Sequence, residues 1–248
     1  MDLISLAPSA TKVLQETGAD QQLIGATDYC TASNVDCIVG GWSNPDVELV
    51  IDMNPDLVFT VDQIQRQIAE KLEQNGVRVC HLEPQTIPET LTAIERIGLE
   101  ANREIEGKQM ASQLETRLKR LERQTEQFDD SPVVYCEEWP EPPMVAGNWV
   151  PEIVEIAGGD YPFKDSGERS GKITYDEVES YNPDYTILHY CGWEDNNLAT
   201  YTERDWDFDS QIAVIDDDMF NQPGPNLVHG AEQLAKLLWG DRVDIEHY

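Results

Sequence analysis

The sequence has few basic residues. Its 17 lysines and arginines stand against 48 aspartates and glutamates, which gives a formal net charge of -31. A surface of that sign repels phosphate backbones and anionic lipids, so nucleic acids and membrane surfaces are poor partners. A disordered acidic chain would be low in apolar content, whereas 40% of this chain is hydrophobic. We therefore expect a folded, halophilic protein whose acidic surface is screened by high salt.

The sequence also lacks any run of the roughly 20 apolar residues that a membrane span needs, so no membrane insertion is expected. Its first ten residues, MDLISLAPSA, contain no basic segment, apolar segment or cleavage site of a signal peptide. We expect a cytoplasmic protein as the sequence is written. If a leader has been removed, the expected location is the cell surface or another extracytoplasmic compartment.

Several chemical motifs are missing as well. The five cysteines form no CxxC pair, so a disulfide framework is not expected. The glycine-bearing loops GGWSNP and AGGDYPF have neither Walker nor GxGxxG spacing, which argues against nucleotide binding. No arrangement of serine, histidine and aspartate indicates a nucleophile. We predict no catalytic residues and no catalytic cofactor.

What the sequence does contain is an alternation of apolar strands and amphipathic helices. LISLAPSATKVLQETGA predicts a strand followed by a helix, and NPDLVFTVD, IQRQIAEKLEQNG and VRVCHLE continue the pattern. The alternation begins again with VVYC after residue 132 and continues through DYTILHY and QIAVIDDD to the last helix, PNLVHGAEQLAKLLWG. This order predicts an α/β fold with mostly parallel sheets.

A long helical segment separates the two alternating regions. The chain is helical by pattern from about residue 88 to 128, with an interruption near Gly98. A helix of about 25 residues is on the order of 37 Å long, enough to connect two lobes. We predict an N-terminal α/β lobe at 1–97, a connecting long helix at 98–129 and a C-terminal α/β lobe at 130–248.

One internal repeat supports two lobes of similar plan. DVELVIDMNPDLVFT at 46–60 and TYDEVESYNPDYTILHY at 174–190 share an acidic helix start, Asn-Pro-Asp and an apolar strand. The repeat would place Thr60 and His189 at matching strand ends, where open α/β sheets bind ligands. The alternative is that Asn-Pro-Asp is only favourable turn chemistry.

Six segments carry a resemblance to a known family: ISLAPSATKVLQETGA, IGATDYC, VGGWSNPDVELVIDMNPDLVFT, GNWVPEIVEIAGG, YDEVESYNPDYTIL and FNQPGPNLVHGAEQLA. With them, over nearly its whole length, the chain resembles the two-lobe substrate-binding proteins of ABC importers for cobalamin, iron chelates and metals, and it is most similar to the cobalamin-binding branch. The resemblance implies a non-enzymatic protein that holds a corrinoid or related metal chelate between its lobes. It also implies an ABC permease as partner.

The resemblance further implies aromatic side chains against the corrin ring. Tyr29, Trp42 and Trp149 match the family's aromatic loops, and the proline-rich segment from Trp139 to Trp149 would form one wall. Trp193 belongs to the same set if it is not a core residue. Glu137 could orient the ligand, or it could lie on an exposed acidic rim.

A second hypothesis keeps the fold and changes the ligand. Cys30, Cys136, His189 and Cys191 all lie near predicted strand ends, and thiolate with imidazole suits a transition metal. The protein would then be a cytoplasmic metal-handling or metal-sensing protein. The alternative is that each cysteine is a small buried hydrophobe. A third option is an enzyme on the same fold that uses Cys136 or Glu137.

Overall fold

The computed structural model describes residues 1–30, 35, 37–192, 201–204, 206 and 208–245. These residues cluster into two compact units. The N-terminal unit comprises Met1–Pro84 with Pro88–Leu114, and the C-terminal unit comprises Gln85–Ile87 with Glu115–Tyr248. The domain limits expected from the sequence, at residues 97 and 130, stay a prediction.

The N-terminal unit is built on a parallel sheet of four strands in the order β2-β1-β3-β4. Its apolar strands are buried because helices pack on the sheet, which explains their near-continuous hydrophobic runs. The core contains Ile4, Leu6, Val50, Val58 and Leu72. The elements are β1 (Leu3–Ser5), α1 (Pro8–Glu16), β2 (Leu23–Ala26), α2 (Val47–Asp52), β3 (Leu57–Val61), α3 (Arg66–Gln74), β4 (Val79–Leu82) and α4 (Ile87–Glu100).

The C-terminal unit contains a mixed sheet in the order β7-β6-β5-β8-β9. Strands β5, β8 and β9 are parallel, whereas β5-β6 and β6-β7 are antiparallel pairs. The α/β class with two sheets is confirmed. The elements are β5 (Val134–Pro140), β6 (Pro143–Val145), α6 (Val150–Ile156), β7 (Gly171–Lys172), α7 (Tyr175–Tyr181), β8 (Tyr185–Leu188), β9 (Gln211–Val214) and α8 (Asn226–Trp239).

The predicted long helix is present as α5 (Glu104–Thr125), which is amphipathic along its length. Its residues up to Leu114 cluster with the N-terminal unit and those from Glu115 with the C-terminal unit. No helix within the described ranges is long and apolar enough to cross a membrane.

The interruption expected near Gly98 is present a few residues later: the helix before α5 ends at Glu100, and the break lies at Asn102, which has a φ of 57°. Gly98 allows close helix packing, since a Cβ there would lie 2.8 Å from the Cα of Gly107.

The strand predicted as VVYC is longer than expected. It continues to Pro140, because its end pairs with β6 in a hairpin. Cys136 therefore lies inside a strand and not beyond its end.

The Asn-Pro-Asp repeat has the same structure in both units. In each case a short helix ends at a left-handed asparagine, Asn54 or Asn182, and the strand begins directly after the aspartate. The Asp56 carboxylate accepts a hydrogen bond from the backbone N–H of Asp2 at 2.7 Å, and the Asp56 N–H donates to the carbonyl of Asp2 at 2.8 Å.

In the C-terminal unit the partners are Asp184 and Val133. The Val133 N–H donates to the Asp184 carboxylate at 2.8 Å, and the Asp184 N–H donates to the Val133 carbonyl at 2.9 Å. Asp2 and Val133 are the residues that precede the first strand of their units. The repeat is thus more than turn chemistry, because it fixes one central strand against the next.

We expect Asp56→Ala and Asp184→Ala each to lower the free energy of unfolding by about 1 kcal/mol, because each removes the acceptor of one backbone N–H. Urea denaturation followed by circular dichroism measures the change. Asp52→Ala, at an exposed aspartate that ends α2, is the control and should stay within about 0.5 kcal/mol of the wild type. Equal stability of all four proteins would contradict the role assigned to the repeat.

Candidate functional site

Large apolar side chains lie exposed where the strands of the N-terminal sheet end. Tyr29 follows β2 and is 59% exposed, and Ile64 follows β3 and is 57% exposed. Trp42 lies in the loop before α2 and is half-buried. Because carboxyl ends of parallel strands meet at one edge of a sheet, such side chains form an apolar face. We call Tyr29, Trp42 and Ile64 the N-terminal apolar face.

Backbone hydrogen bonds join the loops that carry this face. The N–H of Asp28 donates to the carbonyl of Gly40 at 3.0 Å, and the N–H of Asp46 donates to the carbonyl of Val39 at 2.7 Å. Gly40 has a φ of 96°, a conformation that a residue with a Cβ rarely adopts. The Tyr29 and Trp42 loops are therefore fixed to each other.

A polar chain lies at the same edge. Thr60 Oγ1 is 2.8 Å from His81 Nδ1, and His81 Nε2 is 2.8 Å from Glu83 Oε1. Glu83 also forms two hydrogen bonds with the Arg66 guanidinium, which lower the pKa of Glu83 to about 2. The order Thr-His-Glu resembles a nucleophile arrangement, but Thr60 is completely buried and offers no oxygen to a substrate. Both ring nitrogens of His81 are occupied.

In the C-terminal unit the predicted tryptophans fall into three categories. Trp139 is 39% exposed on the β5-β6 hairpin, and its Nε1 donates to the carbonyl of Glu141 at 3.1 Å. Trp149 is only 4% exposed, and its Nε1 donates to the carbonyl of Phe220 at 2.7 Å. The ring of Trp149 packs in the core, so its place in a ligand wall stays a prediction that this burial does not favour. Trp193 lies outside the described residues.

Glu137 does not point to a ligand or to an acidic rim. Its carboxylate is completely buried and accepts hydrogen bonds from Tyr135 Oη at 2.7 Å, from Tyr190 Oη and from Arg204 Nη1 at 2.8 Å. Arg204 Nη2 also donates to the carbonyl of Pro140 at 2.5 Å. Glu137 is thus the centre of a buried ion-pair network and an anchor for the Arg204 segment.

The Arg204 guanidinium is surrounded by aromatic rings. It lies 5.5 Å from the centroid of Tyr175, 5.5 Å from that of Tyr201 and 5.7 Å from that of Trp206, distances that give cation–π attraction. Tyr175 is 39% exposed. Together with Trp139 it forms what we call the C-terminal aromatic face. Sequence reasoning missed Tyr175 and Arg204, and the available signal was one arginine between aromatic residues in YTERDWDF.

His189 follows β8 and is completely buried. Its Nδ1 lies 2.5 Å from Asn221 Oδ1, while Asn221 Nδ2 donates to the His189 carbonyl at 2.9 Å. The amide oxygen selects the tautomer with a proton on Nδ1, and the buried Nε2 has no hydrogen-bond partner. Burial lowers the pKa of His189 to about 4. The imidazole is therefore neutral near pH 7.

The cysteines proposed as metal ligands are not gathered by the described structure. Cys30 is buried, and its Sγ lies 3.1 Å from Thr27 Oγ1. Burial raises the pKa of the Cys136 thiol well above its ordinary value. Cys191 is exposed at the surface, and partial desolvation together with the nearby Asp217 raises the pKa of its thiol to about 11. These two thiols are protonated, whereas metal ligation needs thiolates. The predicted metal ligands Cys30, Cys136, His189 and Cys191 stay a prediction that this geometry does not favour.

Across the described ranges, one set of three potential metal ligands has its donor atoms within 4.8 Å of one another, namely Asp216, Asp217 and Asp218. Asp216 Oδ1 accepts from the N–H of Asp218 at 3.1 Å, and Asp218 accepts from Gln222. Exposed acidic groups of this kind are common in a chain of this charge. The set includes none of the residues that the sequence predicted.

A cavity of about 660 Å³ lies at the opposite edge of the C-terminal sheet, where β5, β8 and β9 begin. It is open and mostly polar, so its character differs from that of both apolar faces. The lining residues are Asp130, Ser131, Pro132, Asp184, Tyr185, Asp209, Ser210, Gln211, Leu238 and Trp239.

Two α/β units with apolar faces at the carboxyl edges of their sheets define a ligand-binding protein. Residues 3–223 match the family described as periplasmic binding protein, and the chain belongs to that family. The expected kinship with ABC-importer substrate-binding proteins is confirmed. Because the family consists of non-enzymatic substrate-binding proteins, the prediction that this chain is not an enzyme is confirmed too.

Three individual matches illustrate the kinship. A vitamin B12-binding protein of Vibrio cholerae is 24% identical over 255 residues, which cover 95% of this chain and 88% of that protein. An uncharacterized ABC transporter substrate-binding lipoprotein of Bacillus subtilis, YvrC, is 23% identical over 261 residues, with coverage of 96% and 80%. The crystal structure of a periplasmic heme binding protein from Pseudomonas aeruginosa has a TM-score of 0.84 at 16% identity, with coverage of 99% and 95%. This structural match shows the fold alone.

We expect Glu137→Gln to lower the free energy of unfolding by about 3 to 5 kcal/mol, because it leaves the Arg204 charge buried without its counter-ion. Urea denaturation gives the value. The control is Glu48→Gln, which removes an exposed carboxylate paired with Lys71 at 3.1 Å and should change stability by less than about 1 kcal/mol. Similar losses in both variants would contradict the buried-network interpretation.

The depressed pKa of His189 predicts a pH dependence of stability. The folded-state pKa of about 4 lies below the ordinary value of 6.5, so protonation favours the unfolded chain. The stability contribution is complete above pH 6.5 and is lost as the pH falls towards 4. We expect His189→Asn, which keeps a donor for Asn221, to show a shallower decline than the wild type in urea denaturation across this window. Parallel declines would show that His189 does not titrate as described.

Proposed function

We propose that the protein is the extracytoplasmic substrate-binding component of an ABC importer, and that its ligand is a corrinoid. The N-terminal apolar face and the C-terminal aromatic face are the contact surfaces. The observation that carries the proposal is the exposure of Tyr29, Ile64, Trp139 and Tyr175, large apolar side chains that lie at the carboxyl edges of the two sheets. Planar macrocycles bury large areas against such side chains.

The environments of His81, near the end of β4, and of His189, directly after β8, agree with a corrinoid as the ligand. His81 uses both ring nitrogens in hydrogen bonds, and the free nitrogen of His189 is buried. Neither imidazole offers an accessible ligand to the iron of a haem. A corrinoid that brings its own axial ligand needs none from the protein. The name of the Vibrio cholerae relative, a vitamin B12-binding protein, agrees with this choice.

The alternative, a cytoplasmic metal-handling protein, needs thiolates or free imidazoles at these edges. The protonated cysteines and the hydrogen-bonded or buried histidines do not favour it. An extracytoplasmic location is part of the proposal, in agreement with the relatives named periplasmic or lipoprotein. Adaptation to high salt stays a prediction from composition, and binding experiments are therefore best made in concentrated salt.

The test is a titration of the protein with cobalamin, cobinamide, hemin and a ferric siderophore, followed by absorption spectroscopy and calorimetry. We expect cobalamin to bind, and we expect Trp42→Ala and Trp139→Ala each to weaken its binding about tenfold, the effect of losing one aromatic contact. Tyr181→Ala is the control, because Tyr181 is also an exposed aromatic but ends α7, away from the carboxyl edge.

Tight binding of hemin without cobalamin binding would overturn the corrinoid assignment and keep the family role. Metal uptake without binding of any chelate would support the metal-handling alternative. Equal losses in Trp139→Ala and Tyr181→Ala would contradict the assignment of the C-terminal aromatic face.

A further inference from the structure

Gln65 is a completely buried amide whose side chain uses both of its polar atoms. Its Nε2 donates to the carbonyl of Leu6 at 2.7 Å and to the carbonyl of Trp42 at 2.7 Å. Its Oε1 accepts from the N–H of Val61 at 2.9 Å. One side chain therefore joins the residue after β1, the last residue of β3 and the loop that carries Trp42.

These three partners make the amide a link between the sheet and the N-terminal apolar face. Leu6 and Val61 belong to neighbouring parallel strands, whose pairing includes the bond from Leu6 N–H to the Phe59 carbonyl at 2.9 Å. The strand ends are rigid because they lie in the core. The Trp42 loop is irregular. Its backbone bonds join it to the Tyr29 loop, and the bond from Gln65 to the Trp42 carbonyl ties it to the ends of β1 and β3 as well.

The turn that precedes Gln65 in the chain has a strained backbone. Asp62 has φ 79° and ψ 151°, a region populated almost entirely by glycine. Its N–H donates to the Leu82 carbonyl at 2.9 Å, and its carboxylate accepts from the Ile64 N–H at 2.8 Å. The strained residue is followed by a short 3-10 helix, Gln63–Gln65, in which Ile64 is exposed while Gln65 is buried. Strain of this kind persists where surrounding contacts hold it and is frequent at binding sites.

We propose that Gln65 is a positioning residue for ligand binding: its bond to the Trp42 carbonyl ties the Trp42 loop to the ends of β1 and β3 and so sets the position in which Trp42 meets the ligand. This inference rests on the proposed function, because it assigns a role within the same face. Gln65 itself does not contact the ligand. It affects affinity only by positioning the Trp42 backbone.

The first experiment uses Gln65→Met, which has a similar length and no hydrogen-bonding amide. We expect cobalamin affinity to fall at least tenfold in the folded variant. We also expect the fluorine NMR resonance of Trp42, in protein labelled with fluorotryptophan and assigned with Trp42→Phe, to shift or broaden. Thr17→Val is the matched control, since Thr17 is another buried polar residue of the same unit whose Oγ1 donates within its own helix, to Val13 at 2.7 Å.

The control separates positioning from stability. Both variants should lower the melting temperature, but Thr17→Val should retain wild-type affinity and an unchanged Trp42 resonance. Wild-type affinity and an unchanged resonance in Gln65→Met would overturn the proposal. A wild-type protein that binds no metal chelate would instead refute the proposed function, while the Trp42 resonance would still report whether Gln65 sets the loop.

A second pair of variants covers the case in which Gln65→Met does not fold. Asp62→Gly can adopt the observed backbone without strain, and we expect its affinity to stay within about twofold of the wild type. Both variants lose the carboxylate that accepts from the Ile64 N–H, but Asp62→Ala alone keeps the strain, so it should displace the turn and lower affinity by about tenfold. Equal affinity of the alanine and glycine variants would show that the geometry of the turn is not needed for binding.

Discussion

The hydrogen bonds between each Asn-Pro-Asp aspartate and the residue before the first strand of its unit are the constraint on which both sheets depend. Asp56 with Asp2, and Asp184 with Val133, each form two bonds, one through the carboxylate and one through the backbone. The pairs fix the register of β3 on β1 and of β8 on β5 at the amino ends of the strands. Because every residue then advances the same distance along both strands, the carboxyl ends are also aligned. The loops that carry the apolar faces start from those aligned ends.

At the carboxyl edge of each unit a completely buried polar side chain holds loops in place. In the N-terminal unit it is Gln65, a neutral amide with three backbone partners. In the C-terminal unit it is Glu137, a carboxylate that binds Tyr135, Tyr190 and Arg204. A buried group that is fully hydrogen-bonded has a single satisfied arrangement, and departures from it leave polar atoms unpaired in a medium of low dielectric. Each of these two side chains therefore favours one arrangement of the loops that it joins.

The same burial decides the chemistry of the site. The Cys136 thiol and the His189 imidazole lie in desolvated environments that favour their neutral forms, an environment that does not favour metal ligation. The residues left exposed at the edges include aromatic and aliphatic side chains. Such an inventory suits a ligand that is large, flat and already complete as a metal complex. Charge, which dominates the composition, is spread over the surface and does not define these faces.

The sequence by itself determined the α/β alternation, the repeat, the family and the positions of Tyr29 and Trp42 in loops, because these depend on local periodicity and turn residues. It could not separate Trp139 from Trp149, since both follow the predicted strand VVYC. Only the β5-β6 hairpin exposes Trp139, whereas Trp149 packs near Phe220. It could not identify the role of Glu137, whose partner Arg204 lies 67 residues away in the chain. Tertiary structure alone decided which polar and aromatic side chains are buried together, because burial depends on contacts between residues that are distant in sequence.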